Sequence, residues 1–226
     1  NPLVSGKGFE ELSANGIDVV TGIMAEDARR LNEKFVCWHQ NKRPFVHLKL
    51  AMSLDGRISL NTSVSTHISG DEGRARVQAL RHEHDAILVG GNTAFVDNPA
   101  LTDRSGRPRR RPLLRVVLDN RLQIESKSRL VATSKETPTL VFTSSLDAAK
   151  IAAIRSEGTE VVESEMGGRD LKGVLQDLYD REIQSLLVEG GTEIAGSFVD
   201  AGLVDKITFI VSPAVRPRMR SAAWAP

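Results

Sequence analysis

Two short apolar runs in this chain each end in a glycine pair and lead straight into a helix-compatible segment. They are Asp85-Ala86-Ile87-Leu88-Val89-Gly90-Gly91-Asn92-Thr93 and Ser185-Leu186-Leu187-Val188-Glu189-Gly190-Gly191-Thr192. Runs this short and continuously apolar read as buried strands, which belong to parallel sheets covered by helices on both faces. Glycine at a strand–helix junction lets backbone N–H groups approach a ligand closely, and the helix N-terminus that follows attracts negative charge. Neither pair is a Gly-x-Gly-x-x-Gly dinucleotide fingerprint, and no Walker lysine follows. An ordinary tight strand–helix connection is therefore the competing reading of each pair taken alone.

The remaining segments fit the same architecture. Phe45-Val46-His47-Leu48-Lys49-Leu50-Ala51-Met52 reads as a strand, broken by the Asp55-Gly56 turn. Ser69-Gly70-Asp71-Glu72 has capping-box spacing, with Val77 and Leu80 one helical step apart behind it. Further strands are expected at 114–118, 139–143, 160–162 and 206–211. Helices are expected behind Ser145 (Ile151, Ile154, stopping at Gly158), along Leu171, Val174, Leu175 and Leu178, and over 192–201. Strands alternating with helices give an α/β fold with a largely parallel sheet. Residues 1–43 look separate: a short helix ending near Gly16, a strand at Ile17-Asp18-Val19-Val20 and a helix over 25–38. A piece this small cannot bury a core alone. It reads as a remnant or a packed appendage, with a boundary at Asn41-Lys42-Arg43-Pro44 and the main domain over 44–226.

Composition narrows the function classes. The net charge is +1 and aromatics are 4% of 226 residues. No global field or stacking platform for nucleic acid is therefore expected, despite the basic loop from Arg104 to Arg111 and Arg115. That loop reads as a solvated charged segment, with Arg104 alone turned towards a phosphate. No apolar run reaches the roughly 18 residues of a membrane span, and no signal-peptide pattern is read at the start. The single cysteine, Cys37, reads as a small buried hydrophobe in a reducing compartment, so a cytoplasmic protein is expected. His82 and His84, two apart near a helix end, suit the negative end of its dipole. They have no cysteine partner and no His-Glu-x-x-His spacing, so no metal site is expected; no Gly-x-Ser-x-Gly elbow is present either.

Two charges stand out because of where they sit. Lys49 lies mid-strand among apolar residues, and Glu189 ends a buried strand beside two glycines. Such charges are costly unless partnered. Either they form a structural ion pair, or both face a polar ligand at the carboxyl edge of the sheet, where open α/β sheets bind ligands.

Three strings in this order resemble one family. They are Lys49-Leu50-Ala51-Met52-Ser53-Leu54-Asp55-Gly56-Arg57, the loop Gly91-Asn92-Thr93-x-x-x-Asp97-x-Pro99-x-Leu101-Thr102, and Val188-Glu189-Gly190-Gly191-Thr192. The family is the reductase domain of RibD-type bifunctional riboflavin-biosynthesis proteins, and the resemblance covers about 43–213. Asn1-Pro2-Leu3-Val4-x-Gly6-x-Gly8 and Leu31-Asn32-x-x-Phe35 look like the tail of that family's deaminase domain. Its zinc-binding His-x-Glu and Pro-Cys-x-x-Cys elements would lie upstream, so no deamination is expected of this chain.

The resemblance implies a dihydrofolate-reductase-like fold, NADPH as cofactor and a homodimer. It implies reduction of the ribosyl group of a phosphoribosylamino-pyrimidine to ribityl. Ser65, Arg81, Arg104 and the backbone at Leu101 match substrate-holding positions, the phosphate included. Lys49 and Glu189 match polar residues beside the reacting sugar and base, and which of them handles protons is left open. Ala51, His67, Thr93, Asp97, Gly191, Thr192, Glu193, Ile194, Ala195, Gly196 and Ser197 match cofactor-contacting positions; His67 stands where the family commonly has tryptophan. After Pro213 the family continues through a Gly-rich loop to final strands, whereas this sequence runs Ala214-Val215-Arg216-Pro217. Missing C-terminal strands are therefore expected, with 207–211 at an exposed sheet edge. Alternatives are a related reductase with a pterin-like substrate, or a domain that binds cofactor without turnover.

Overall fold

A computed structural model describes residues 5–56 and 70–213. In chain order the elements are α1 (Lys7–Ala14), α2 (Ala25–Leu31), α3 (Glu33–Asn41), β1 (Phe45–Ser53), α4 (Asp71–Glu83), β2 (Ala86–Gly90), α5 (Gly91–Asp97) and β3 (Leu114–Leu118). They continue with α6 (Arg129–Ala132), β4 (Thr139–Thr143), α7 (Ala148–Ser156), β5 (Glu160–Glu163), α8 (Leu171–Asp180), β6 (Ser185–Val188), α9 (Thr192–Asp200) and β7 (Lys206–Ser212). The strands form one sheet in the order β5-β4-β3-β2-β6-β1-β7, and every described pairing is parallel. The chain runs outward from β2 to β5, then returns to insert β6 between β1 and β2. That insertion creates the crevice where an open α/β sheet binds ligands.

Side chains alternate across the sheet and feed two cores. Val46, Leu48, Leu88, Leu186 and Val188 pack with Leu171, Val174, Leu175 and Leu178 of α8 and Phe198 of α9. On the opposite face Ile87, Val89, Val117 and Val141 pack with Leu130 and Val131 of α6 and Ile151 and Ile154 of α7. Helices on both faces explain why the strands read as continuous apolar runs. Among the described residues no helix is long and apolar enough to cross a membrane.

Several local expectations are corrected. Residues 17–20 form no strand, and α1 and α2 on either side of them bury no residue, so this segment has no packed surface to order it as a strand. The expected helix over 25–38 divides at Asn32, whose side chain donates to the Ala28 carbonyl at 2.9 Å and closes α2. Only α3 docks, through buried Cys37 and through Trp38, whose ring centroid is 4.8 Å from that of Tyr179 in α8. Gly70 is the N-cap of α4 and provides no side-chain bond; Ser69 lies outside the described residues. Asp147, not Ser145, caps α7 by accepting from the Lys150 N–H at 3.0 Å. Asp147 stands two residues nearer the helix, at the N-cap position itself, so it and not the serine reaches the free N–H.

His84 does not sit at the end of α4 as a cation. Its Nδ1–H donates to the Leu80 carbonyl at 2.7 Å, so its Nε2 accepts from His47 Nδ1 at 3.3 Å. His47 Nε2 then accepts from the Thr208 hydroxyl at 2.7 Å. The carbonyl can only accept, and this sets both tautomers. Burial, with help from Lys34 and Lys206, pushes His47 down to about 4; burial and Lys34 push His84 down to about 3. Both rings are therefore neutral in the folded protein.

An unfolded chain binds protons at these histidines near 6.5, while the folded one refuses them until far lower pH. Their contribution to stability is fully present above about pH 6.5 and is lost as pH falls towards 4. Urea midpoints should fall from about pH 7 to about pH 5, and the double variant His47→Gln/His84→Gln should show a flatter slope over that window. An unchanged slope would refute the neutral pair.

Among the described residues β7 is the outermost strand, as expected for 207–211, and Ile207, Phe209 and Val211 are 45%, 53% and 47% exposed. An apolar edge invites pairing with another chain. Phe209→Lys should reduce concentration-dependent self-association in sedimentation without lowering the folding midpoint; equal association by both proteins would sink this reading of the edge.

Candidate active site

Lys49 and Glu189 meet because of sheet register. β1 and β6 pair Leu48 with Val188, so the next residues lie side by side on the face opposite α8. Glu189 is anchored by its own N–H, which donates to the Leu88 carbonyl of β2 at 2.9 Å. Lys49 Nζ donates to Glu189 Oε2 at 3.4 Å. Arg81 descends from α4 and binds the same carboxylate with two N–H groups, Nε to Oε1 at 2.8 Å and the second to Oε2 at 3.1 Å. All three side chains are nearly buried, at 13%, 8% and 12% exposure for Lys49, Glu189 and Arg81. Burial pushes the Glu189 carboxyl up, but the Arg81 bonds and the Lys49 charge outweigh it and hold it below the usual carboxylate range. Glu189 is thus an anion gripped by two cations.

The four junction glycines divide by what a Cβ would meet. At Gly90 it would lie 2.9 Å from Ile194 Cγ1, at Gly190 2.6 Å from Ile194 Cβ, and at Gly91 2.6 Å from the Asp119 carboxyl carbon. Three of the four therefore serve packing. Ile194 rests across the first glycine of both pairs, and buried Asp119, which accepts from the Ile124 N–H at 2.9 Å, fills the place beside Gly91. The expectation that Gly90-Gly91 lets a phosphate approach is corrected: a side chain occupies that ground. Gly191 differs, because nothing lies within 4 Å of its would-be Cβ. It is the N-cap of α9, with φ −69 and no side-chain cap. The first-turn N–H groups of a helix have no intrahelical acceptors, so Gly191 offers open, uncapped backbone to an anion.

The basic loop is not simply solvated. Arg115 is fully buried and donates to the carbonyls of Ala100, Leu130 and Thr137 and to the Thr133 hydroxyl, at 3.1, 2.9, 2.5 and 2.8 Å. Desolvation lowers its pKa to about 10, which still leaves it charged. Arg109 donates to the Arg81, His82 and His84 carbonyls at the end of α4, at 2.9, 3.2 and 2.6 Å. Arginine's planar fork suits such bare helix ends. Arg104 is exposed. Its backbone N–H donates to Gln78 Oε1 at 2.7 Å, and its guanidinium has no partner among the described residues.

The other expected site residues fall as follows. Leu101 adopts φ 47, a left-handed conformation costing roughly 1–2 kcal/mol for a residue with a Cβ, while its side chain anchors in the second core. Ala51 pairs with Ile210 of β7; a depression of about 290 Å³ lies between 210–213 and 70–73. Thr93 is half-buried and Asp97 exposed along α5; Thr192, Glu193 and Ser197 are exposed, Gly196 half-buried and Ala195 buried along α9. Ser65 and His67 lie outside the described residues. Ser105, His82 and Asp103 also meet, but Ser105 Oγ and Asp103 Oδ2 both contact His82 Nδ1, at 3.3 and 2.8 Å. A Ser-His-Asp relay needs the two on opposite ring nitrogens. Among the described residues no His/Cys/Asp/Glu group is arranged to hold a metal.

Comparison with known proteins gives the family and the fold. A family model, the RibD C-terminal domain, matches residues 44–216. The riboflavin biosynthesis protein RibD of Actinobacillus pleuropneumoniae is 38% identical over 215 residues, covering 94% of this chain and 57% of that protein. The crystal structure of a Thermotoga maritima diaminohydroxyphosphoribosylaminopyrimidine deaminase/5-amino-6-(5-phosphoribosylamino)uracil reductase has 34% identity and a TM-score of 0.80, with 95% and 57% covered. Acinetobacter baumannii RibD has 29% identity and a TM-score of 0.81, with 96% and 60% covered. The chain thus spans under two thirds of the length of these relatives. A Saccharomyces riboflavin biosynthesis reductase, 22% identical with a TM-score of 0.59 and 84% of each chain covered, shares the fold. The chain has a dihydrofolate-reductase-like α/β fold and belongs to the RibD C-terminal domain family.

Proposed function

We propose that the chain reduces the ribosyl group of 5-amino-6-(5-phosphoribosylamino)uracil to ribityl with NADPH, a step of riboflavin biosynthesis. The observation that carries this reading is the Lys49–Glu189–Arg81 cluster in the crevice between β1, β6 and β2, beside the open backbone at Gly191. A longer protein similar to this chain, that of Thermotoga maritima, is named a deaminase and a reductase of that substrate, and this chain matches 57% of it. The lone cysteine fits a cytoplasmic setting, and the exposed apolar face of β7 fits a homodimer.

The residues present fit the cofactor. Gly191 and the uncapped first turn of α9 suit a pyrophosphate, and Ala51, Thr93 and Asp97 border the same edge of the sheet. NADPH, when bound, supplies the hydride. Everything else falls to this chain. Reduction requires the furanose to open, so the ring oxygen gains a proton and the exocyclic nitrogen loses one, forming an imine. Once C1 is reduced by the hydride that NADPH would supply, the nitrogen would take a proton. Substrate, NADPH and one proton become the ribityl product and NADP⁺.

Glu189 is held ionised by its two cations, so it orients rather than donates. Lys49 is the proton-bearing member: one N–H faces Glu189, which leaves the other two to serve the sugar. Arg81 is committed to Glu189 and to the Thr102 carbonyl at 3.2 Å, which leaves Arg104, with Ser65, for the substrate phosphate. Arginine favours that role because its fork donates two bonds at once.

Oxidation of NADPH by the purified chain with the deaminated substrate tests the proposal directly; no turnover at saturating substrate would refute it. Lys49→Met should lower kcat by about 10²- to 10⁴-fold, the usual worth of a positioned acid, with cofactor affinity retained. A kcat unaffected by that change would transfer the proton role elsewhere. Gly191→Val should weaken NADPH binding at least about tenfold through lost backbone contacts, with little change in melting temperature, because φ is negative and the space is open. Unchanged cofactor affinity in a calorimetric titration would leave Gly191 as a plain turn.

A further inference from the structure

Three arginines and one face of α4 grip the loop after Pro99 at successive residues. Arg115 holds the Ala100 carbonyl at 3.1 Å, Arg81 holds the Thr102 carbonyl at 3.2 Å, and Gln78 accepts the Arg104 N–H at 2.7 Å. Between them Asp103 turns its carboxylate inward, where only 5% of the side chain is exposed. One oxygen accepts from His82 Nδ1 at 2.8 Å and Arg109 at 3.0 Å; the other accepts from the Ser105 N–H at 2.9 Å. Gln78, Arg81 and His82 are spaced three and four apart, so one stripe of α4 reads three consecutive loop residues.

A buried carboxylate in a surface loop is costly unless it is fully hydrogen-bonded. Burial pushes the Asp103 carboxyl up, and the bonds from Ser105, His82 and Arg109 outweigh it, holding it well below the ordinary range. The next residue, Arg104, has its backbone pinned and its guanidinium free of partners among the described residues. A loop anchored this fully presents one side chain in a preset place, and preorganisation of that kind lowers the cost of ordering on binding.

We propose that Asp103 is a positioning residue that acts through Arg104: with Arg109 and His82 it holds the loop so that Arg104 meets the phosphate of the substrate. This rests on the reading of Arg104 as the phosphate ligand. Asp103 contacts no reacting atom, so its effect belongs in substrate KM, with kcat and NADPH affinity unchanged.

A double-mutant cycle on the full chain tests it, with steady-state KM and kcat, NADPH affinity and melting temperature measured for Arg104→Ala, Asp103→Ala and the pair. Asp103→Asn, which retains an acceptor for the Ser105 N–H, serves as the milder second variant. The expected result is a rise in substrate KM of about tenfold or more for Arg104→Ala and about tenfold for Asp103→Ala. The double variant should be no worse than Arg104→Ala alone, because the two act through one contact. A KM raised by Arg104→Ala but untouched by both Asp103 variants, or fully additive effects, would overturn the inference and leave the phosphate reading standing. An unchanged KM in Arg104→Ala would overturn the phosphate reading, and the inference with it.

Discussion

The Glu189 carboxylate is the point on which the site depends. It ends the strand inserted last into the sheet, and it receives Lys49 from β1 and Arg81 from α4. A buried carboxylate left alone would be protonated or would destabilise the fold, and removing one partner of a buried pair typically costs about 3–5 kcal/mol. Here the attraction is geometrically constrained: Arg81 binds in a fork, and Lys49 arrives through strand register. The cluster therefore joins three elements that are distant in sequence and keeps an anion and a proton-bearing cation together in one crevice.

Packing around that crevice explains why glycine recurs. Ile194 needs the absence of a side chain at both Gly90 and Gly190 to settle over the two adjacent strand ends, and Asp119 needs it at Gly91. Close approach of α9 to the sheet then brings its N-terminus to the same edge as Glu189. Gly191 alone remains open, and its backbone conformation is one any residue adopts. Its value lies in what it leaves uncovered, not in an unusual φ.

The loop beyond Pro99 shows a different use of charge. Arg115 and Arg109 are internal struts whose partners are mostly carbonyls, so they satisfy loop and helix ends that would otherwise need water. The left-handed Leu101 is stabilised by the same arrangement, with its side chain in the core and its neighbours' carbonyls held on both sides. A run of arginines in the sequence is thereby divided into struts such as Arg115 and Arg109 and exposed cations, Arg104 among them.

The sequence by itself determined the order of most strands and helices and the parallel character of the sheet, and it marked Lys49 and Glu189 as charges set among apolar residues, while Arg81 was marked only by the family resemblance. Apolar runs such as 114–118 and 139–143 are buried on both faces, so their composition alone reports their state, and a charge set among apolar residues is conspicuous in any sequence. Only the tertiary structure decided what each repeated motif is for. Four junction glycines look alike in sequence, yet three face side chains and one faces open space, because that depends on which helix lies above them. The arginines of the basic loop are equally indistinguishable until the end of α4 and the loop after α6 supply carbonyls to some and none to Arg104. The His47–His84 pair and the Asp103 carboxylate were hidden for the same reason: His47 lies 37 positions from His84 and 161 from Thr208, Asp103 lies 21 from His82, and only folding brings a buried polar group and its partner together. Residues 17–20 mark the reverse limit, where strand-like composition found no sheet to join.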